Sequence, residues 1–497
     1  MHKIYNKPMI VFLIVLLLNI TALAQSHDVQ ENEKSGKIDD LISTYHEYGL
    51  FNGVVLAAEG GKIILKKGYG LANREWDMPH SPDTKFRIAS ITKPFTALLI
   101  MQLVEKGKID LNGKITDYLP YYRKDTGEKV TIHHLLSHSS GIPDYLRIPG
   151  FWQNQLLLRF SRRDFIDQFC TGDLEFEPGT KYKYSNSGYY ILGMIIENVT
   201  KQPLEAVLNE NILSPLKMNN TGLETNRKML KKRAIGYTKS GFDYINVPYL
   251  NIENIYASGQ MYSTVEDLYL LDQALYSDKL LSEEYRSKLF EPCYYYPRGK
   301  YYVGYDWEIG KYSLSAGRDS IAYARHFGGL NGFNTLFCRL MEDKHLIVLF
   351  CNLDSAPLRD MSIKITNILY GCSYELPKKS IALELVEIIN EEGVKSGVKR
   401  YFLLKQTQPD KLDFNERELN KLGYYILRQN RIKEAVKIFE LNVEVFPEYA
   451  NGWDSLGEAY FMQGDRQMAI DCYNKVLELN PNSSNAIEML KKIRNNK

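Results

Sequence analysis

The sequence predicts an α+β domain, a mixed antiparallel sheet with a helical lobe, followed by an all-α module of helical repeats. Three observations predict it. Hairpin patterns rich in β-formers stand at 51–70 and again at 333–351, the stretch between them reads mostly as helices and loops, and residues 415–482 repeat at a spacing of 34. At 497 residues, with 44% apolar and 25% charged, the chain has the balance of an ordinary globular protein with room for two or three domains.

The N-terminus is read first. Lys3 and Lys7 precede an apolar run from Met9 to Leu18, and Ala22-Leu23-Ala24 before Gln25 supplies an A-x-A cleavage pattern. That is the layout of a secretory signal peptide over 1–24. The run is shorter than the ~20 apolar residues a membrane span wants, so cleavage near Ala24 and export, to the periplasm or beyond, are expected. Gln25 rather than Cys follows the site, which offers no lipid attachment. No later stretch reads as a membrane span.

Phe51 to Glu59 and Lys62 to Gly70 form the first hairpin, turning at Gly60-Gly61. Ala97 to Val104, after Pro94, has helical period and composition. The middle, 130–290, is mostly helical, with loops rich in Gly, Asn, Pro and Ser. The second hairpin runs through Phe333–Leu340 and His345–Cys351, turning at Glu342-Asp343. A composition break near Pro377-Lys378-Lys379 marks the domain boundary.

Beyond it the repeat is explicit. Leu422-Gly423 recurs as Leu456-Gly457, Ala435 as Ala469, Phe439 as Tyr473 and Pro447 as Pro481. Trp453-x-x-Leu456-Gly457-x-x-Tyr460 fits the opening of the tetratricopeptide pattern. Small residues let paired helices approach, and proline ends the second helix. So short an array needs its ends covered; 383–410 reads as one or two further helices and 484–495 as a closing one.

Formal net charge is +2, with no long basic run outside the N-terminal segment. A nucleic-acid binder would concentrate positive charge, so that class is set aside. The cysteines (Cys170, Cys293, Cys338, Cys351, Cys372 and Cys472) are scattered without a CxxC pair. Spacing assigns no pairing, and they read as mostly buried apolar residues.

The chemistry centres on Ser90-Ile91-Thr92-Lys93. A serine hydroxyl is a poor nucleophile unless a neighbour takes its proton. Residues three apart share a helix face, so the Lys93 amine can reach Ser90 Oγ. Desolvation or neighbouring positive charge can lower a lysine pKa until the amine serves as a base. The unpaired N–H groups at a helix N-terminus can stabilise an oxyanion. Alone, S-x-x-K is equally a capped helix start with a surface lysine. Tyr184-Ser185-Asn186 and, further on, His326-Phe327-Gly328-Gly329 supply the context.

With those three elements in that order, the chain resembles the serine β-lactamase and penicillin-binding superfamily, most like its class C branch and related esterases and peptidases. Leu135-Leu136-Ser137-His138-Ser139-Ser140-Gly141-Ile142-Pro143 and Ala257-Ser258-Gly259-Gln260-Met261-Tyr262-Ser263-Thr264 also look like segments of this family. The resemblance covers roughly 40–372 and implies a β-lactamase/transpeptidase-like fold with no metal or cofactor. It implies that Ser90 is acylated and that Lys93 shares its proton network. Tyr184, its phenol titrating lower beside cationic neighbours, would act as base or relay the proton to the leaving group. Asn186 would hydrogen-bond substrate or orient Lys93. His326 to Gly329 would line the cleft, the backbone N–H groups of Ser90 and Gly329 forming the oxyanion hole.

One departure matters. Class C β-lactamases usually carry K-T-G where this chain has His326-Phe327-Gly328. A mostly neutral histidine and a phenylalanine without a donor favour an esterase or peptidase over a proficient β-lactamase; some peptidases of the family also carry histidine. A purely structural role for His326 stays open. His134 and His138 stand at zinc-binding helical spacing beside His133, but no H-E-x-x-H glutamate accompanies them. The aromatic set Tyr294-Tyr295-Tyr296, Tyr301-Tyr302, Tyr305 and Trp307 reads as strand packing or as a cleft border. No G-x-S-x-G elbow and no G-x-x-x-x-G-K-[ST] loop is present.

The expectation is therefore an exported serine hydrolase at 40–372, acting on an ester or amide, with a tetratricopeptide-like module at 383–497. That module would bind a protein or peptide partner or mediate self-association. The rival expectation is a catalytically retired scaffold whose repeats recruit a partner, since fold does not fix function.

Overall fold

The computed structural model describes residues 33–314 and 320–495. The signal peptide expected over 1–24 lies outside the described residues. Among the described residues, no helix is long and apolar enough to cross a membrane. The chain divides into two compact units: 239–245 and the residues from 376 onward form the second, and the rest form the first.

The first unit is built on one eight-stranded sheet, antiparallel throughout. Its strands are β1 Gly53–Glu59, β2 Lys62–Tyr69, β3 Tyr294–Tyr296, β4 Tyr301–Val303, β5 Glu308–Tyr312, β6 Ile321–Leu330, β7 Phe333–Leu340 and β8 His345–Cys351. Their order in space is β3-β4-β5-β6-β7-β8-β1-β2. Gly60 (φ +55) and Gly61 (φ +81) both adopt left-handed backbone at the β1–β2 turn, which is what a tight hairpin matched to strand twist requires. Val54, Leu56 and Ala58 join the main apolar core, and the alternate Val55 and Ala57 are as fully buried. Both faces of the central strand are therefore covered.

Helix α1, Thr92–Glu105, is buried from Thr92 to Leu103. A helix apolar all round belongs inside a large core. It starts two residues earlier than Pro94, which sits in the first turn where a missing N–H costs nothing. Helix α2, Asn186–Thr200, is capped by the Ser185 side chain accepting from Gly188 N–H and ends on left-handed Lys201. Gly193 lets it lie against Tyr256 and Ala257, where a Cβ would come within 2.5 Å of either. Helix α3, Val265–Ala274, packs on β1 and β8, and α4, Leu358–Leu369, packs on β7 and β8. The middle of the chain is less helical than expected: Met261–Ser263 is a short strand between Phe86–Arg87 and Gly222–Leu223. Extended segments this short are fixed by tertiary partners, so no local period announces them. All six cysteines are free thiols, five of them buried.

The second unit contains α5 Ile381–Glu392, α6 Val394–Thr407, α7 Glu416–Arg428, α8 Ile432–Val445, α9 Ala450–Gln463, α10 Arg466–Leu479 and α11 Ser484–Asn495. The repeat residues do the packing the period implied. A Cβ on Gly423 would lie 2.4 Å from the Phe439 ring, and one on Gly457 would lie 3.2 Å from Cys472 and Tyr473. Ala435 and Ala469 are fully buried. Besides the residues the linear boundary includes, the unit takes in 239–245, where Phe242 meets the Tyr425 ring edge-on at 5.0 Å.

Candidate active site

Ser90 lies in a single 3-10 turn, Ala89–Ile91, that runs directly into α1. Ala89 has φ +47, a left-handed conformation costing about 1–2 kcal/mol for a residue with a Cβ. Strain at this position points to a turn shaped by its task. Side chains on a helix lean back toward its N-terminus, and Lys93 does so: its Nζ is 2.9 Å from Ser90 Oγ and donates to the Ser258 carbonyl at 2.7 Å. Lys93 is fully buried. Burial pushes its pKa down from 10.5 to about 8, although Asp306 and Asp144 pull the other way.

Tyr184 stands over the amine, its ring centroid 4.8 Å from Lys93 Nζ, and Ser90 is among the groups that act on its phenol. Its titration overturns the expectation of a lowered phenol. Burial raises it well above the ordinary tyrosine value, and the Asp306 charge raises it further. Burial disfavours the phenolate, so the Tyr184 phenol stays protonated at neutral pH.

Asn186 is committed elsewhere than expected. Its amide nitrogen donates to both oxygens of Asp144 at 3.1 Å, and its backbone N–H donates to Asp144 Oδ1 at 3.3 Å. Rather than touching Lys93, it fixes a carboxylate that acts on Lys93 through space.

His326, Gly328 and Gly329 lie on β6. The ladder between β5 and β6 ends at Glu308↔Arg325, so the strand continues past it paired only with β7. A Cβ on Gly328 would fall 2.1 Å from Ile88 O and 2.3 Å from Thr335 Oγ1, whereas one on Gly329 would meet open space. Only glycine at 328 lets the strand lie this close to the turn that carries Ser90. Ser90, Tyr184, His326 and Phe327 line one cleft of about 440 Å³. The three elements of the sequence meet in one place.

Residues 38–368 match the family model described as Beta-lactamase, and residues 450–483 match that of the tetratricopeptide repeat. The chain belongs to the β-lactamase family. It is 30% identical over 370 residues to Penicillin-binding protein 4* of Bacillus subtilis strain 168, covering 70% of this chain and 79% of that one. The octameric penicillin-binding protein homologue of Pyrococcus abyssi superposes with a TM-score of 0.60 at 27% identity, over 71% of this chain and 81% of the other. D-amino acid amidase from Ochrobactrum anthropi SV3 shares the fold, with a TM-score of 0.57 at 24% identity over 69% and 99%.

Within this β-lactamase-family domain the aromatic set plays both parts considered for it. Tyr296 and Tyr301 pair across the β3–β4 hairpin with rings 5.4 Å apart, and with Trp307 they also line the cleft. The three clustered histidines separate: His133 Nδ1 meets Tyr305 Oη at 2.9 Å, His134 Nδ1 accepts from Thr131 N–H, and His138 Nε2 meets Asp306 Oδ1 at 2.6 Å. Sequence reasoning missed Asp144 and Asp306 as members of the site. Asp144 directly follows the Leu135–Pro143 segment but was not read with it, and Asp306 is a lone carboxylate between Tyr305 and Trp307. His138 carried a signal, since it lies in the Leu135–Pro143 segment.

Proposed function

We propose that this β-lactamase-family chain is an exported serine hydrolase that transfers an acyl group from an ester or amide to water through an acyl-Ser90 intermediate. The observation that carries the reading is the fully buried Lys93 amine, its pKa lowered to about 8, 2.9 Å from Ser90 Oγ. A neutral amine at that distance is a competent base. In the proposed cycle Lys93 takes the hydroxyl proton as Ser90 Oγ attacks the substrate carbonyl. The N–H groups of Ser90 and Gly329 hold the oxyanion. Protonated Tyr184 gives its proton to the departing oxygen or nitrogen and regains one from Lys93. Water then repeats the sequence on the acyl-enzyme. His326 and Phe327 would face the substrate where K-T-G relatives place a cation and a hydroxyl, which favours esters and peptides over β-lactams.

Export would follow cleavage near Ala24. The repeats, within 383–497, would recruit a protein or peptide or a second copy; the tetratricopeptide match supports a protein-interaction role. A fluorophosphonate or penicillin-type probe should label Ser90, and Ser90→Ala should abolish labelling. A folded protein that none of several acylating probes modifies would refute the hydrolase. Turnover of p-nitrophenyl esters, nitrocefin and D-amino-acid amides then assigns the substrate class.

A further inference from the structure

The cycle just described leaves one buried charge of the cleft without a part: Asp306. It lies on the loop between β4 and β5 and is 2% exposed. Its carboxylate has two partners on opposite sides of the site. Oδ1 is 2.6 Å from His138 Nε2. Oδ2 is 2.9 Å from His326 Nε2, a close contact too oblique for a straight hydrogen bond. Because Ser185 N–H donates to His138 Nδ1 at 3.2 Å, the His138 proton must sit on Nε2, facing Asp306. The same imidazole lies against Tyr184, ring centroids 4.4 Å apart.

Both Asp306 (φ +64) and His138 (φ +55) are left-handed non-glycine residues. Each costs on the order of 1–3 kcal/mol and persists only where the surroundings demand it. Burial alone would push the Asp306 carboxyl up, yet the two imidazoles outweigh burial and hold it down at about 2. The two imidazoles thus favour the charged carboxylate, which lies against a ring nitrogen of each.

We propose that Asp306 is a positioning residue of the hydrolytic site, one carboxylate that holds His138 against Tyr184 and His326 on strand β6, and so sets the spacing of the second and third motifs across the cleft. The proposal rests on the acyl-Ser90 reading. Through His138 the carboxylate orients the Tyr184 ring and the Ser185 N–H. Through His326 it fixes the strand that carries Gly328 and Gly329. Its charge also bears on Lys93, whose amine faces Ser90, the Tyr184 and Tyr189 rings, the Ser258 carbonyl, His138 and the carboxylates Asp144 and Asp306. Of these, Asp306 is the strongest influence favouring the protonated amine.

Two variants separate geometry from charge. Asp306→Asn keeps an acceptor for His138 and offers an N–H to His326 while removing the charge; Asp306→Ala removes both contacts. In the full chain, Asp306→Ala should lower kcat about 100-fold with KM little changed, the penalty of a displaced proton donor. Asp306→Asn should recover to within about tenfold of the parent, with the acid limb of kcat/KM moved to lower pH because Lys93 loses a carboxylate. A folded Asp306→Ala with parental kcat, an Asp306→Asn no better than it, or an unmoved acid limb would overturn the proposal. Nitrogen-15 histidine NMR reads the contact without turnover: Ser185 N–H keeps His138 the Nε2–H tautomer in all three proteins, but the downfield Nε2–H proton that meets Asp306 in the parent should persist in Asp306→Asn and move upfield or exchange away in Asp306→Ala. An unchanged Nε2–H resonance there refutes the role of Asp306. A parent chain that no acylating probe labels at Ser90 counts against the hydrolase reading alone.

Discussion

Lys93→Met should raise the stability of the protein at neutral pH and lower it in alkali. The buried amine titrates near 8 against an ordinary value of 10.5. At about 1.4 kcal/mol for each tenfold change in proton affinity, keeping this lysine charged in the fold costs roughly 3 kcal/mol. Methionine fills a similar volume without that cost, but it leaves the Ser258 carbonyl without its 2.7 Å donor, a loss of about 1 kcal/mol. The balance is roughly 2 kcal/mol in favour of Lys93→Met below pH 8. The sign reverses with pH. Between 8 and 10.5 the unfolded lysine binds a proton that the folded one does not, so the parent gains stability as pH rises through that window. Above it lysine is neutral in both states, and the variant is left about 1 kcal/mol worse. Equilibrium urea unfolding of both proteins at pH 6.5 and pH 11 measures the two differences, and other titrating groups cancel in the comparison. If the methionine variant is destabilised equally at both pH values, the amine carries no desolvation penalty and its service as a base loses its physical footing.

Other outcomes follow from the same geometry. Tyr184→Phe should lower kcat by about 10²–10⁴, the usual worth of a positioned proton donor; with the phenol raised by burial, the parent should show no alkaline limb below pH 9. Gly328→Ala would place a methyl 2.1 Å from Ile88 O, forcing β6 off the nucleophile's turn and lowering kcat/KM about 100-fold. Gly329→Ala, which meets open space, is the control that should leave stability unchanged by thermal melt. In the second unit, Gly423→Val pushes into the Phe439 ring and should cost about 1–3 kcal/mol, read by circular dichroism and Trp453 fluorescence on unfolding.

How much of this was legible in the sequence depends on whether a feature is local. The Gly60-Gly61 turn and the β-rich runs beside it announced β1 and β2, and the 34-residue period announced the packing of Gly423 on Phe439. Ser90 and Lys93 are one turn apart, so their contact could be read from spacing once Tyr184-Ser185-Asn186 and His326 to Gly329 supplied the context. Tyr184 was placed correctly but given the wrong titration, because its shift comes from depth of burial, which spacing does not encode. Asn186 was assigned to substrate or lysine, and its bonds to Asp144 went unread because that carboxylate sits in another loop with nothing in the chain to mark the pair. Asp306 was invisible for the same reason: a lone carboxylate between Tyr305 and Trp307 acquires its meaning from His138 and His326, which the fold brings to it.

Strand β1 pairs on one side with β2 and on the other with β8, Gly53 standing opposite both Tyr69 and Cys351. The first strand among the described residues therefore waits for the last strand of its sheet before its second edge is satisfied. Pairings so distant in sequence close slowly, and until they do the young hairpin presents a bare apolar rim to any neighbour. A nascent chain halted before β8 should clump rather than fold.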